Sequence, residues 1–163
     1  MQTFILIVVL LIPITALGYS YLNKKKIVNA KVRFNYKPIA YDGLLAIELE
    51  FVRLVNEHRI NLGLNPLIAE KLACEVCQKR LEDDIKQNIE SNHYYWATMI
   101  SDAKANDDSG SHIVANNFVT ALGLFNGYIS SQGHKEALEN KHRTHIGTSF
   151  KEKRNHTILT KYN

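Results

Sequence analysis

The fold is decided by Tyr128-Ile129-Ser130-Ser131-Gln132-Gly133-His134-Lys135-Glu136-Ala137-Leu138, a stretch that soon reaches Thr144-His145-Ile146-Gly147. It predicts a helix end, a tight turn at 131–133, a short helix beginning at His134 and then a strand. Ser131 and Gly133 suit the turn, because a small hydroxyl bonds nearby backbone amides and glycine admits positive φ at no steric cost. Spacing alone shows no more than two imidazoles that flank a turn and a strand.

The order of residue types in this stretch is aromatic-x-x-Ser-x-Gly-His-x-x-x-aliphatic, with Thr-His-Ile-Gly six residues later. It resembles bacterial members of the CAP superfamily, whose SCP domain is the fold of cysteine-rich secretory and plant pathogenesis-related proteins. A second block, Val55-Asn56-Glu57-His58-Arg59 followed by 62–67, is similar to the family's first helix and the turn after it. Two ordered blocks make the resemblance specific.

The resemblance implies an α+β fold, a three-layer α-β-α sandwich with a central antiparallel sheet. The residues themselves predict helices at 44–62 and about 69–88, and a third helix after Asn117, which Asn116 or Asn117 would cap. Alternating apolar residues predict a final hairpin, with strands at 146–150 and 158–162. The remaining strands are expected near Ile113 or in the segment 27–43.

Composition predicts one globular domain. The chain has 163 residues, of which 45% are hydrophobic and 22% charged, enough for a single core. Its net charge of +4 permits weak attraction to anionic surfaces, but no basic run has the aromatic interleaving of a nucleic-acid face. No nucleic-acid partner is therefore expected.

The beginning of the chain predicts export. Phe4–Leu17 is nearly all apolar over 14 residues, which is short for a bilayer span of about 20 but fits a signal-peptide core. If the apolar run extends to Leu22, it reaches 19 residues and could remain as a membrane anchor. We therefore expect a signal peptide or anchor at 1–22, a stem at 23–43 and the CAP domain at 44–163, with the domain secreted or membrane-tethered.

Two residue types invite a chemical interpretation that their context does not favour. Cys74 and Cys77 lie three apart on a predicted helix without the βαβ setting of a redox pair or two further zinc ligands. Small buried thiols that fill space are the expectation. His58 falls on the apolar face of the first helix, which predicts a core histidine with a backbone partner.

The resemblance also implies a cleft, where many relatives bring together two histidines and two acids, sometimes around a divalent metal. His93 matches the first histidine, and Asn116 stands where the family has the glutamate of Gly-Glu-Asn. The second acid would fall near Ser130 or Ser131, where the sequence has no carboxylate, and His156 is the stand-in for the last histidine. Trp96 is compatible with packing in the core or at its rim, and equally with lining the cleft. The predicted ligand-binding cleft comprises His93, Trp96, Asn116, Asn117, Ser131, His134, His145 and His156.

Two functions remain open. The first is a non-enzymatic module that binds a small molecule, lipid, peptide or cell-envelope component, with no catalytic residue and no cofactor. The second is a metal-dependent hydrolase-like enzyme that uses His93 with His134 or His156 and a divalent metal such as zinc. Water activation normally requires a carboxylate, which the expected positions lack. Five histidines in the last 52 residues are interpreted as scattered, hydrogen-bonded or exposed side chains, and no metal ligand is assigned.

Overall fold

The computed structural model describes residues 41–104 and 110–161. The predicted signal peptide or anchor, almost all of the stem, and Tyr162 lie outside the described residues. Among the residues inside them, no helix has the length and apolar character needed to cross a membrane.

Five helices and four strands follow one another along the described chain. Their bounds are α1 Ala46–Asn61, β1 Ile68–Ala69, α2 Lys71–Lys86, α3 Trp96–Asp102, β2 Ser111–Asn116, α4 Ala121–Ser130, α5 Gln132–Glu139, β3 His145–Lys151 and β4 Arg154–Thr160. The predicted first and second helices, the strand near Ile113 and the final hairpin are confirmed.

The sheet has the strand order β1-β3-β4-β2. β4 pairs antiparallel with both β2 and β3, whereas β1 pairs parallel with β3 through Ile68 and Ala69. The antiparallel sheet is therefore as expected, except for this two-residue parallel edge, which periodicity did not predict.

Two apolar cores, one on each face of the sheet, make the predicted three layers. Neighbouring residues of β4 show the division, because side chains alternate along a strand. Leu159 joins the core formed with α1, α4 and α5, which includes Phe51 and Tyr128. Ile158 joins the core formed with α2 and α3, which includes Cys77 and Met99. Helices therefore cover both faces of the sheet, which gives the α-β-α sandwich.

Cys74 and Cys77 are buried, free thiols. Burial raises the pKa of Cys74 to about 12 and that of Cys77 well above its ordinary value. Thiolates are the reactive form of cysteine, so these thiols are inert at neutral pH. The expectation that they fill space is confirmed.

Three local expectations were wrong. Thr120 caps α4 instead of Asn116 or Asn117, and its Oγ1 accepts a hydrogen bond from the Gly123 amide at 3.0 Å. His58 pairs with a side chain instead of the backbone, since its Nε2 lies 2.8 Å from Oε1 of Glu139. Gly133 is the second residue of α5 instead of part of a turn.

Two glycines should respond in opposite ways to alanine. A Cβ on Gly133 would meet nothing within 4 Å, whereas one on Gly147 would lie 2.3 Å from the carbonyl carbon of Ala73. Gly133→Ala should stabilise the domain by about 0.5–1 kcal/mol through helix propensity. Gly147→Ala should destabilise it by about 2–3 kcal/mol, because α2 must move off β3. Thermal melts of both variants measure the contrast, and a neutral Gly147→Ala would show that this close approach is absent.

Candidate functional site

Four imidazoles are consecutive neighbours beside strands β2 and β4, and we name His156, His112, His93 and His134 the histidine row. The register pairs His156 with Val114 and His112 with Ile158, which places both histidines on the same sheet face. Their rings stack with centroids 5.1 Å apart. The His93 ring lies 5.2 Å from that of His112 and 6.0 Å from that of His134.

A buried carboxylate on α2 anchors the inner end of the row. Oδ2 of Asp84 lies 2.8 Å from Nε2 of His156, and Nδ1 of His156 lies 2.9 Å from Nε2 of His112. The other carboxylate oxygen, Oδ1, pairs with Arg80, one helical turn earlier. The guanidinium of Arg80 in turn lies 3.8 Å above the centre of the Tyr95 ring. Asp84 therefore has a partner on each oxygen.

The row runs from the interior to the surface. The side chains of Asp84 and His156 are fully buried, His112 is 8% exposed, and His93 is exposed. At its outer end, the His134 ring meets the buried ring of Tyr128 at 5.1 Å. The row thus connects α2, on one face of the sheet, with a residue of the core on the other face.

Burial favours the neutral form of His112, His156 and His134. It lowers the pKa of His112 to about 3, with further lowering from the neighbouring imidazoles of His156 and His93. Burial also lowers the pKa of His156, against the opposing effect of Asp84, and the pKa of His134. Neutral imidazoles offer one hydrogen-bond donor and one acceptor each.

The predicted site residues fall into two groups. His93, His134 and His156 come together in the histidine row. His145 is 2.8 Å from the hydroxyl of Thr144 and pairs with Thr160, four residues along β4 from His156. At about 3.3 Å per residue, this places it more than 10 Å from that histidine.

Asn116 has a structural partner. Its Oδ1 accepts from the Ser91 amide and its Nδ2 donates to the Ser91 carbonyl, both at 3.0 Å. This pair of bonds holds the loop that leads to His93 against β2. The next residue, Asn117, is exposed with a φ of 68°, a left-handed conformation that asparagine tolerates better than most residues.

Ser131 and Trp96 sit at helix starts. Ser131 is the N-cap residue of α5 without a side-chain capping bond, and Trp96 is the first residue of α3. Trp96 is 45% exposed and lines a cavity of about 150 Å³ with Ala97, Ile100 and Ser101. A second cavity, of about 240 Å³, lies beside the stacked Arg80 and Tyr95.

Sequence reasoning missed two members of this arrangement as site residues, His112 and Asp84. A signal was present for each. His112 alternates with Val114 and Asn116 along β2, which puts it on the face opposite the buried Ile113. Asp84 follows Arg80 by four residues on a helix, the spacing at which opposite charges pair.

The donor set does not fit the divalent metal that the resemblance connects with some relatives. Within residues 41–104 and 110–161, no group of three or more histidine, cysteine, aspartate or glutamate side chains is placed to hold a metal ion. The amide of Asn116 is engaged with Ser91. The carboxylate of Asp84 is engaged with Arg80 and His156.

Comparison with known proteins identifies the fold. No protein-family model and no curated protein sequence matches the chain. Solved structures do match, and the chain is similar to a cysteine-rich secretory protein of Staphylococcus aureus with a TM-score of 0.63 at 16% identity. It is also similar to an extracellular SCP-domain protein of Bacillus anthracis, at 0.62 and 17%, and to an outer surface protein of Borrelia burgdorferi, at 0.58 and 19%.

These alignments cover 70%, 69% and 69% of this chain, in the same order. They span 38% and 39% of the Staphylococcus and Bacillus proteins, less than two thirds of either, and 90% of the Borrelia protein. The described domain therefore has the SCP fold that the two sequence blocks predicted.

Proposed function

We propose that this chain is an exported, non-enzymatic module of the SCP fold that binds a ligand at the outer end of the histidine row. The ligand is a lipid, a peptide or another cell-envelope component. Export is supported by the apolar segment Phe4–Leu17. It is further supported by the names of the similar structures, which describe secretory, extracellular and outer-surface proteins.

One observation carries the choice of binding over hydrolysis. The carboxylate of this row, on Asp84, is fully buried and held by Arg80 and His156. It therefore cannot reach a water molecule at the surface, where His93 is exposed. A metal-dependent hydrolase that uses a carboxylate as its general base needs that carboxylate within hydrogen-bond reach of the metal-bound water. The imidazoles of the row can instead form hydrogen bonds with a polar ligand.

The binding experiment uses the purified, immobilised full-length chain. It is incubated with a detergent-solubilised envelope fraction, and the retained small molecules are released and identified by mass spectrometry. We expect retained species that disappear in the His93→Ala/His134→Ala double variant. They should persist in His142→Ala, which removes an exposed imidazole outside the row. Equal retention by all three proteins, or no retention by any, would refute binding at the row.

Zinc distinguishes this proposal from the metal-dependent hydrolase. Titration calorimetry of the full chain should show weak zinc binding, and a chelator should leave the melting temperature unchanged. The physical reason is the missing anionic ligand, since Asn116 faces Ser91 and amides bind zinc poorly. Tight zinc binding, or a melting temperature lowered by chelation, would favour the hydrolase.

A further inference from the structure

The hydrogen bond that Asp84 accepts from His156 determines which nitrogen of each buried imidazole carries a proton. A carboxylate only accepts, so the His156 Nε2 that lies 2.8 Å from it bears the hydrogen. Nδ1 of a neutral His156 is then bare and accepts from Nε2–H of His112 at 2.9 Å. One nitrogen of a neutral imidazole is always without a proton. Nδ1 of His112 is therefore a bare lone pair.

This lone pair has no partner within the described part of the chain. The His112 residue is 8% exposed. Its Nδ1 is buried and makes no hydrogen bond there. Buried polar atoms in folded proteins are almost always hydrogen-bonded, so an orphan calls for an explanation. The exposed His93 ring lies against the ring of His112, with the two ring centroids 5.2 Å apart and the ring planes at 78°. A ligand that displaces or lies beside the His93 ring would reach His112.

We propose that Nδ1 of His112 is a binding subsite for one N–H or O–H donor of an uncharged ligand, such as an alcohol, a sugar hydroxyl or an amide. The subsite rests on the proposed function, because it requires that the ligand bind at the histidine row. An anionic group without a proton to donate would be repelled by the lone pair on Nδ1 of His112. A cation would lose its hydration beside a row that also faces the Arg80 guanidinium across Asp84. An uncharged donor satisfies the buried acceptor without either cost.

The polarity of the subsite depends on Asp84. In Asp84→Asn, the guanidinium of Arg80 offers only donors, so the amide oxygen stays with Arg80 and the NH2 group turns toward His156. His156 must then accept at Nε2 and donate from Nδ1. His112 in turn accepts at Nε2 and carries its proton on Nδ1. One substitution on α2 therefore changes the outer nitrogen of the row from an acceptor into a donor.

Phenol and anisole are the probes, because they share a ring and an oxygen but only phenol donates a hydrogen bond. Each is titrated into the full-length chain labelled with nitrogen-15 histidine, and the imidazole resonances are followed by NMR. Phenol should perturb His112 and bind about tenfold more tightly than anisole, the effect of one hydrogen bond to a buried acceptor. Asp84→Asn should abolish this preference. The control Asp83→Asn, which removes the neighbouring charge of the same helix, should retain it.

Each outcome decides a different part of the proposal. Equal binding of phenol and anisole with shifts at His93 and His134 would overturn the donor subsite and leave the proposed function standing. If neither probe perturbs any imidazole of the row, the binding surface is refuted together with the subsite. If Asp84→Asn fails to fold, the comparison of phenol with anisole in the unsubstituted chain still tests the donor subsite. A preference for phenol that survives in folded Asp84→Asn would overturn the role of the buried carboxylate.

Discussion

Arg59→Met should lower the free energy of unfolding by about 3–5 kcal/mol. Arg59 is fully buried on α1. Its guanidinium donates hydrogen bonds to backbone carbonyls at distances of 2.8, 2.6, 3.1 and 3.3 Å, which belong respectively to Asn65, Leu138, Asn140 and Arg143. Methionine fills much of the volume but leaves these acceptors without their donor.

Urea denaturation of the full-length chain measures this loss. The matched control is Arg53→Met on the same helix, where the arginine is exposed and pairs with Glu50 and Glu57. Exposed pairs contribute little, so the control should change stability by no more than about 0.5–1 kcal/mol. Similar losses in both variants would contradict the idea that the buried guanidinium joins these segments.

The contacts of Arg59 give a physical reason for the first sequence block. Asn56, in the same block, accepts from the Leu67 amide at 2.7 Å and donates to the Leu67 carbonyl at 2.9 Å. His58 pairs with Glu139 at the end of α5. Asn56, His58 and Arg59 therefore join α1 to the turn before β1 and to the helix of the second block. The two blocks that carry the resemblance are in direct contact.

Acidification should destabilise the domain by about 3 kcal/mol between pH 6.5 and pH 4 through His112 alone. Its pKa in the folded chain is lowered to about 3, so the unfolded chain takes up a proton that the folded chain refuses. The stability is present above the unfolded pKa of about 6.5 and is lost as the pH falls toward 3. The groups that face His112 include His93, His156 and, through His156, Asp84 with Arg80.

Urea melts at a series of pH values measure the slope of stability against pH. His112→Gln should flatten this slope, because the amide does not titrate and can still donate to His156. The control His142→Gln removes an imidazole that is exposed in the folded chain, and the slope should remain. A slope that is unchanged in His112→Gln would contradict the buried, neutral state of this histidine.

Local periodicity explains why much of the fold was predictable. The apolar faces of α1 and α2 repeat at helical spacing, and the hairpin alternates at Ile146, Thr148 and Phe150. Strand β1 has two residues and is set by its pairing with His145 and Ile146, a contact that no local pattern encodes. Gly133 lies in a helix because the chain continues from α4 into α5 with Ser131 alone between them.

The site was predictable only in part, for a similar reason. His93, His134 and His156 were named through the resemblance, which carries spatial information that one sequence lacks. The contacts that complete the row join residues far apart in the chain, such as Asp84 with His156, separated by 72 positions. A carboxylate on a polar helix face gives no sign that it will be fully buried. Its role follows from the packing of α2 against β4.

If Asp84 sets the proton positions of His156 and His112, one NMR spectrum of the two imidazoles should show it. A long-range proton–nitrogen NMR spectrum of the nitrogen-15 histidine-labelled full chain at neutral pH reports which nitrogen of each ring is protonated. We expect His156 and His112 to be neutral, each protonated at Nε2 and bare at Nδ1. A proton on Nδ1 of His112, or a doubly protonated ring at either residue, would contradict this expectation.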